Sequence, residues 1–513
     1  MRIRFWHGLC SVSFILSLWP MAAQAQFGFG LGFPSQSPAS RQQTPSSTQG
    51  SEGRGRSGPS WFDGIDVLIN PNTGKPSPPR PPQAQSPRDA FEARFQATSP
   101  EDAVREFEAW QIAEFGQYLQ IPWAQPPTAA QISQQLAQIA LETGRRPAVL
   151  YTVALKQQTH LLLVLPAMSP IGERWQPQQV ASLHLTPQLL AQSVSPPVLR
   201  EVLPDIARET VLEVAKRFRK TVSDPTDLAS TQYLTAAQQL YAWIVAPLAP
   251  QLRSHGIDTL LFSMDDGLRT IPIAALHDGR QFLAEQYSSA LIPSFGLTDT
   301  SRPLALKQQP LLAMGISKST EGLAPLPAVP TEISTITRQL WTGPSQETLD
   351  EDSTLANLKQ LYSQQRFGVL HLATHAEFKA GNLNESYIQF WNNRLTLPQI
   401  RRLSDDLQWK TLPPLQLLVL SACQTALGSQ EAELGFAGTA LNAGVPSAIA
   451  SLWSVSDQGT LGLMTGFYQH LQNAPTKADA LRQSQLQMLQ STDFRGLTHP
   501  YFWSGYTVVG NWN

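Results

Sequence analysis

The chain has 513 residues, of which 42% are hydrophobic and 15% charged, enough apolar material for a sizeable core and two or three structural units. A formal net charge of -2 and the lack of any long Lys/Arg run exclude the electrostatic footprint of a nucleic-acid binder or of a protein held to an anionic membrane surface. Past the N-terminus, no stretch reaches the roughly 18 uninterrupted apolar residues that a spanning helix needs.

The first residues, MRIRFWHG, then LCSVSFILSLWPMAA and the small-residue triplet Ala23 to Ala25, read as the three regions of a secretory signal peptide (1–25) cut before Gln26. The apolar run is too short for an anchor and holds Pro20 near its end. The expectation is a secreted or periplasmic protein with no stable membrane insertion after cleavage. Cys10 lies in the removed segment, which leaves Cys423 as the single thiol of the mature chain and rules out an internal disulfide.

Residues 26–90 are rich in Pro, Gly, Ser and Gln and read as a disordered linker, interrupted by the more hydrophobic WFDGIDVLI, Trp61 to Ile69. A helical segment over 91–145 follows. S-P-E-D at Ser99 marks one helix start, and a second helix runs from Thr128, with Ile132, Leu136 and Ile139 on one face and Gly144 as its stop. AVLYTVAL and HLLLVLP read as paired strands around the polar KQQT. Helical stretches near Pro204 to Phe218 and in LTAAQQLYAWIVAPLAPQL come next, with Asp266-Gly267 and Asp278-Gly279 as turns.

Short apolar strands then alternate with helices: DTLLFSM, PLLAMGI, FGVLHLAT, LQLLVLSA and PSAIASLW. Near-continuous apolar strands of this kind belong to a mostly parallel α/β sheet covered by helices on both faces. Sites in such sheets lie beyond the carboxyl ends of the strands. His375 ends one strand and Cys423 the next along the chain. If those strands are neighbours, roughly 5 Å apart, imidazole and thiol come within reach, which is what nucleophilic catalysis by a thiolate requires. Taken singly, each reads as a core residue, because free cysteine is commonly buried and His375 is flanked by apolar residues. The coincidence of two strand ends is what points to a site. His375 precedes Cys423 by 48 positions, close to the spacing of about 50 residues in caspases.

The stretches HLATHAEF, VLSACQTALG, AGVPSAIASLWSVSD and HPYFWSGYTVVGNW, with LFSMDDGLRTIPIAALHDGRQFLAEQYSSALIPS before them, resemble the CHAT domain of the caspase-like, separase-related cysteine peptidases. The resemblance covers about Arg146 to the C-terminus. It implies a caspase-like catalytic part over 306–513, preceded by an α+β N-terminal part over 146–305. It also implies that Cys423 is the nucleophile and His375 its general base or ion-pair partner. The backbone N–H groups of Ala376 and Cys423 would form the oxyanion hole. The chain departs from the family pattern at Ala376 and Ala426, where T-H-G and A-C-E-T-G commonly place glycine, a residue freer in backbone angle.

Asp457, after the strand ending near Trp453, resembles the aspartate with which separase-like enzymes hold a basic residue before the scissile bond; Ser456 or Asp457 reads equally as a helix cap. His371 lies on the same strand face as His375, roughly 13 Å away along extended chain, and reads as a packed residue supporting the dyad rather than as a co-ligand. No Cys/His cluster suggests a metal, and no cofactor is expected. Glu431 and Glu433 read as loop or first-turn helix charges. His499, Pro500, Tyr501, Phe502 and Trp503 resemble the family's terminal motif and read as core.

The function expected from the resemblance is an exported cysteine endopeptidase cleaving after a basic residue. Its partner is a protein or peptide substrate, with no nucleic acid and no identified activator. The alternative is a catalytically weak CHAT module acting as a cell-surface interaction or scaffold protein.

Overall fold

The computed structural model describes residues 86–119, 124–167, 198–301, 305–319, 321–379, 383–411, 413–421, 424–425, 438, 443–491 and 496–513. The expected signal peptide, nearly all of the linker, Trp61 to Ile69, and Glu431 and Glu433 lie outside these residues.

Helical structure starts within the segment read as linker. Ser86 caps a helix over Pro87–Ala97 by accepting from the Asp89 N–H at 3.1 Å, with Pro87 at the first helical position. Arg88 on this helix reaches the buried Asp265 carboxylate, with Nη1 2.9 Å from Oδ1, so an ion pair ordered by tertiary contact extends the folded region upstream. The other two N-terminal helices follow their sequence signals. Ser99 caps Pro100–Leu119, and a Thr128/Gln131 capping box opens Ala129–Thr143, which ends on Gly144 at φ 70°.

The strands are β1 (Pro147–Ala154), β2 (Thr159–Val164), β3 (Val198–Leu203), β4 (Thr259–Met264), β5 (Ser288–Leu291), β6 (Leu311–Gly315), β7 (Ser345–Leu349), β8 (Val369–Ala373), β9 (Ala376–Phe378), β10 (Tyr387–Phe390), β11 (Asn393–Thr396), β12 (Leu417–Leu420), β13 (Gln424–Thr425), β14 (Ser447–Ser451) and β15 (Tyr506–Gly510). One 11-stranded sheet runs β3-β2-β1-β4-β5-β15-β14-β12-β8-β6-β7. It is mostly parallel and flanked by helices; the antiparallel pairs are β1/β2, β2/β3 and β14/β15. The β14/β15 pair reverses the strand direction, so β12, β8, β6 and β7 point with β14, opposite to β4 and β5. The sheet is continuous across residue 305, because β15 from the C-terminal end pairs with β5.

Two differences from the sequence reading have local causes. The helix expected from Pro204 begins at Arg208, since Pro204 follows the half-buried edge strand β3 and Arg208 is drawn to Asp265. LTAAQQLYAWIVAPLAPQL divides into Tyr233–Ile244, a 3-10 turn Ala246–Leu248 and Ala249–Ser254, because Pro247 and Pro250 carry no N–H to continue one helix.

The central strands are buried along their length, as their apolar composition requires. A second, 4-stranded sheet, β11-β10-β9-β13, grows from the carboxyl ends of β8 and β12. No helix among the described residues is long and apolar enough to cross a membrane.

Candidate active site

β8 and β12 are adjacent and parallel, in register from Val369↔Leu417 to Leu372↔Leu420. The ladder extends one residue further, where the Ser421 N–H donates to the Leu372 carbonyl at 2.9 Å. Beyond the strand ends the two segments pair again, as β9 with β13 at Glu377↔Gln424. His375 lies between these pairings on one segment. Cys423, with Ala422 and Ala426, lies outside the described residues, but the residues bracketing it, Ser421 and Gln424, are each held beside the His375 segment.

The turn carrying His375 is clamped from β10: Thr374 Oγ1 donates to the Gln389 carbonyl at 2.9 Å, and the Gln389 N–H donates to the His375 carbonyl at 2.8 Å. The imidazole is part-exposed, and its Nε2 lies 2.8 Å from the Ala324 carbonyl oxygen. A carbonyl only accepts, so Nε2 carries the proton and Nδ1 holds the lone pair of the neutral ring.

Ala324 belongs to the loop between β6 and the helix Val329–Thr335, and carboxylates pin that loop at both ends. At its start, Asp350 Oδ1 accepts from the Ser317 and Lys318 N–H groups at 2.8 and 3.0 Å. Burial would lift the Asp350 carboxyl, but these donors outweigh it and leave the group below its ordinary value. At the loop's end, Asp457 Oδ2 accepts from the Ala328 N–H at 2.6 Å.

Asp457 is the first residue of the helix Asp457–Leu471, and Ser456 is the cap, accepting from the Gly459 N–H at 3.3 Å. Burial raises the Asp457 carboxyl above its ordinary value; the Ala328 N–H acts against this, Glu332 adds to it, and His375 acts against it. Asp457 and His375 are therefore within electrostatic reach of each other. One carboxylate oxygen is engaged with the loop.

Ala376, buried to 4% exposure, opens β9 opposite Ile388. Because Gln389 donates to His375, the neighbouring Ala376↔Ile388 pair falls at a non-hydrogen-bonded position of the antiparallel ladder. The Ala376 N–H consequently turns from β10 toward the β13 side. The non-glycine residues with positive φ among the described ones are Glu321, Asp350 and Gln408, so Ala376 occupies backbone that needs no glycine.

His371 has no exposure; Nε2 lies 2.9 Å from Glu332 Oε1 and Nδ1 lies 3.2 Å from the Tyr468 hydroxyl. It shares none of these partners with His375. Ser421 Oγ donates to the same Glu332 oxygen. The sequence reading missed Glu332, Ser421 and Tyr468. Glu332 carried one signal, a carboxylate set at helical spacing among Val329, Ile333 and Ile336, where an apolar residue would be ordinary. His499 caps the short helix Pro500–Trp503, and Tyr501, Phe502 and Trp503 are buried as read.

This large, mostly parallel sheet flanked by helices, with His375 held beyond β8 and Ser421 and Gln424 held beside the same segment, defines an α/β protein. The chain belongs to the CHAT domain family, whose model matches residues 234–511, more than half of its length. Among solved structures it is similar to the Saccharomyces cerevisiae separase–securin complex, with TM-score 0.37 and 10% identity, over 75% of this chain and 32% of that one. It is also similar to gingipain R (RgpB), an Arg specific cysteine proteinase, with TM-score 0.35 and 12% identity, over 59% of this chain and 74% of that one. The complex of Porphyromonas gingivalis RgpB pro- and mature domains gives TM-score 0.33 and 12% identity, over 59% and 76%. The chain thus spans about a third of the separase chain's length. No curated protein matches it.

Proposed function

We propose that the protein is an exported cysteine endopeptidase in which Cys423 is the nucleophile and His375 the base. The observation that carries the reading is the His375 Nε2 to Ala324 carbonyl bond, which leaves Nδ1 as the basic nitrogen on a turn flanked by the partners of Ser421 and Gln424. Nδ1 takes the thiol proton, and the thiolate attacks the scissile carbonyl carbon. The oxyanion receives the Ala376 and Cys423 N–H groups. Protonated His375 gives its proton to the departing amine as the C–N bond breaks. Water, deprotonated by the same nitrogen, then attacks the thioester and releases the acid with the Cys423 thiol restored. Asp457 holds a basic residue before the scissile bond. Export with cleavage after Ala25 rests on the N-terminal pattern of basic, apolar and small residues.

An arginyl peptide-ketone probe under reducing conditions tests this. Labelling is expected in the wild type and lost in Cys423→Ala. Label that persists in Cys423→Ala, or that never forms in the wild type, defeats the peptidase reading.

A further inference from the structure

Behind the two strand ends lies a polar cluster that the chemistry above does not use. Glu332 and His371 have no exposure, and Ser421 has 1%. Glu332 Oε1 accepts from both His371 Nε2 and the Ser421 hydroxyl, while Glu332 Oε2 is buried with no hydrogen-bond partner. Tyr468, on the helix Asp457–Leu471, stands at the far side of His371, where its hydroxyl meets Nδ1. Burial, and then the charge of Glu332, keep the Tyr468 hydroxyl well above its ordinary value and so protonated. Among the described residues, His371 Nε2 and the Ser421 hydroxyl are the hydrogen-bond donors to the Glu332 carboxyl group.

A buried carboxylate with one unsatisfied oxygen is a costly way to fill space, which glutamine or leucine would fill at lower desolvation cost. The two bonds it does make explain its presence. One goes to His371 in β8, four residues before His375; the other to Ser421, the first residue after β12 and two before Cys423. A single carboxylate oxygen on the helix Val329–Thr335 therefore ties together β8 and the end of β12, the strands that precede His375 and Cys423 in the chain. The same helix begins just past the loop that supplies the Ala324 carbonyl to His375.

We propose that Glu332 is a positioning residue, which through His371 and Ser421 sets the relative placement of the strand ends bearing His375 and Cys423. The inference rests on the dyad reading but has its own observable. With Glu332 in place, the imidazole sits where it stabilises the thiolate; without it, the two strands pack apart from that setting and the thiol behaves as an ordinary one.

The test is the rate of iodoacetamide alkylation of Cys423 in the full chain, followed on the Cys423 peptide by mass spectrometry across pH 5 to 9. Ser421→Ala removes one hydroxyl, and Glu332→Leu removes the acceptor from both arms. Each is expected to slow alkylation at neutral pH by about tenfold, the effect of a lost hydrogen bond on a poised group, and to move the midpoint to higher pH. Glu332→Gln, which keeps an acceptor oxygen, is expected to recover most of the rate. With peptide substrate, kcat should fall while KM stays nearly constant. Folded variants that alkylate with the wild-type rate and midpoint overturn the proposal, and Ser421→Ala decides alone if Glu332→Leu does not fold. His375→Ala separates the two ideas. If that change leaves alkylation untouched, the dyad reading fails; if alkylation depends on His375 but not on Ser421 or Glu332, the positioning role alone fails.

Discussion

His375 and Ala324 are joined by a 2.8 Å hydrogen bond from the imidazole Nε2 to a backbone carbonyl, and the loop offering that carbonyl is pinned by Asp350 at its start and Asp457 at its end. The His375 imidazole is thus oriented by a loop rather than by a carboxylate bonded to its ring. His375→Ala should lower kcat/KM by about a hundred- to ten-thousandfold, the range for losing a general base. Asp350→Gly tests the loop itself. It relieves a non-glycine residue at φ 50° yet deletes the carboxylate that holds Ser317 and Lys318. A fall of about fivefold in kcat is expected from a loosened carbonyl, measured by steady-state assay, and an unchanged kcat would show that the loop holds without Asp350.

One Asp457 oxygen engages the Ala328 N–H, and the carboxyl interacts electrostatically with His375, so loop anchoring and the proposed recognition of a basic residue can be tested apart. Asp457→Asn keeps an oxygen for the Ala328 N–H but removes the charge. It should raise KM for an arginyl substrate by about tenfold or more with a small change in kcat, as expected for loss of a charged partner. Asp457→Ala should lose kcat as well, because the loop is freed. Comparing Arg with Asp before the scissile bond in the wild type checks the specificity: a preference for Asp removes the recognition role.

The strands β8 and β12 were legible because they are short, largely apolar runs buried along their length, each followed in the sequence by one of the candidate site residues, His375 and Cys423. Their adjacency was not, since nothing in LQLLVLSA says which strand it pairs with; it entered as a condition and is met in the β8/β12 register. The Ala324 carbonyl left no trace, as a backbone acceptor has no residue type. Glu332 left a faint trace as a charge within an apolar helical stripe. β3 was missed because an edge strand lacks the continuous hydrophobicity of the centre. β9 and β13 were missed because three and two residues are too few to show a period. The linker boundary slipped because Arg88 finds its partner, Asp265, 177 residues away.

The helix that carries Glu332 sits against β6 through Gly315, where a Cβ would lie 2.5 Å from both Ile333 Cδ1 and Val329 Cγ1. Gly315→Ala forces those side chains aside and should cost about 1–3 kcal/mol, read as a lowered midpoint in urea unfolding. The same change should lower activity more than its stability loss explains, because it displaces Glu332 and the start of the helix after Ala324.

Stability below neutral pH should fall through His160. Arg200 Nε donates to His160 Nδ1 at 3.1 Å, and the ring packs edge-on against Phe95 with centroids 5.4 Å apart. Burial, then the neighbouring Arg200 charge, lower its pKa to about 4. The unfolded chain, with an ordinary imidazole near 6.5, binds the proton first as pH drops. Stability is therefore full above about pH 6.5, declines between there and about 4, and levels below. The loss amounts to about 3 kcal/mol at most. Thermal unfolding of the wild type and of His160→Gln, which does not titrate, should differ in slope across that window; parallel curves would remove His160 from the account.

Ala376 is one of the two positions, with Ala426, at which the chain departs from the glycine-containing pattern it resembles, and its backbone is among the described residues. Its φ is not among the positive values, its methyl is buried at 4% exposure, and its N–H faces the β13 side without needing glycine's freedom. Ala376→Gly therefore removes packing and adds unfolded-state entropy without opening a conformation the site requires. It should lower stability by about 0.5–1 kcal/mol and leave kcat/KM within about threefold of wild type. If kcat/KM for an arginyl peptide instead rises tenfold or more in Ala376→Gly, the methyl is obstructing substrate. The wild-type protein would then be an attenuated enzyme, closer to an interaction module than to an efficient peptidase.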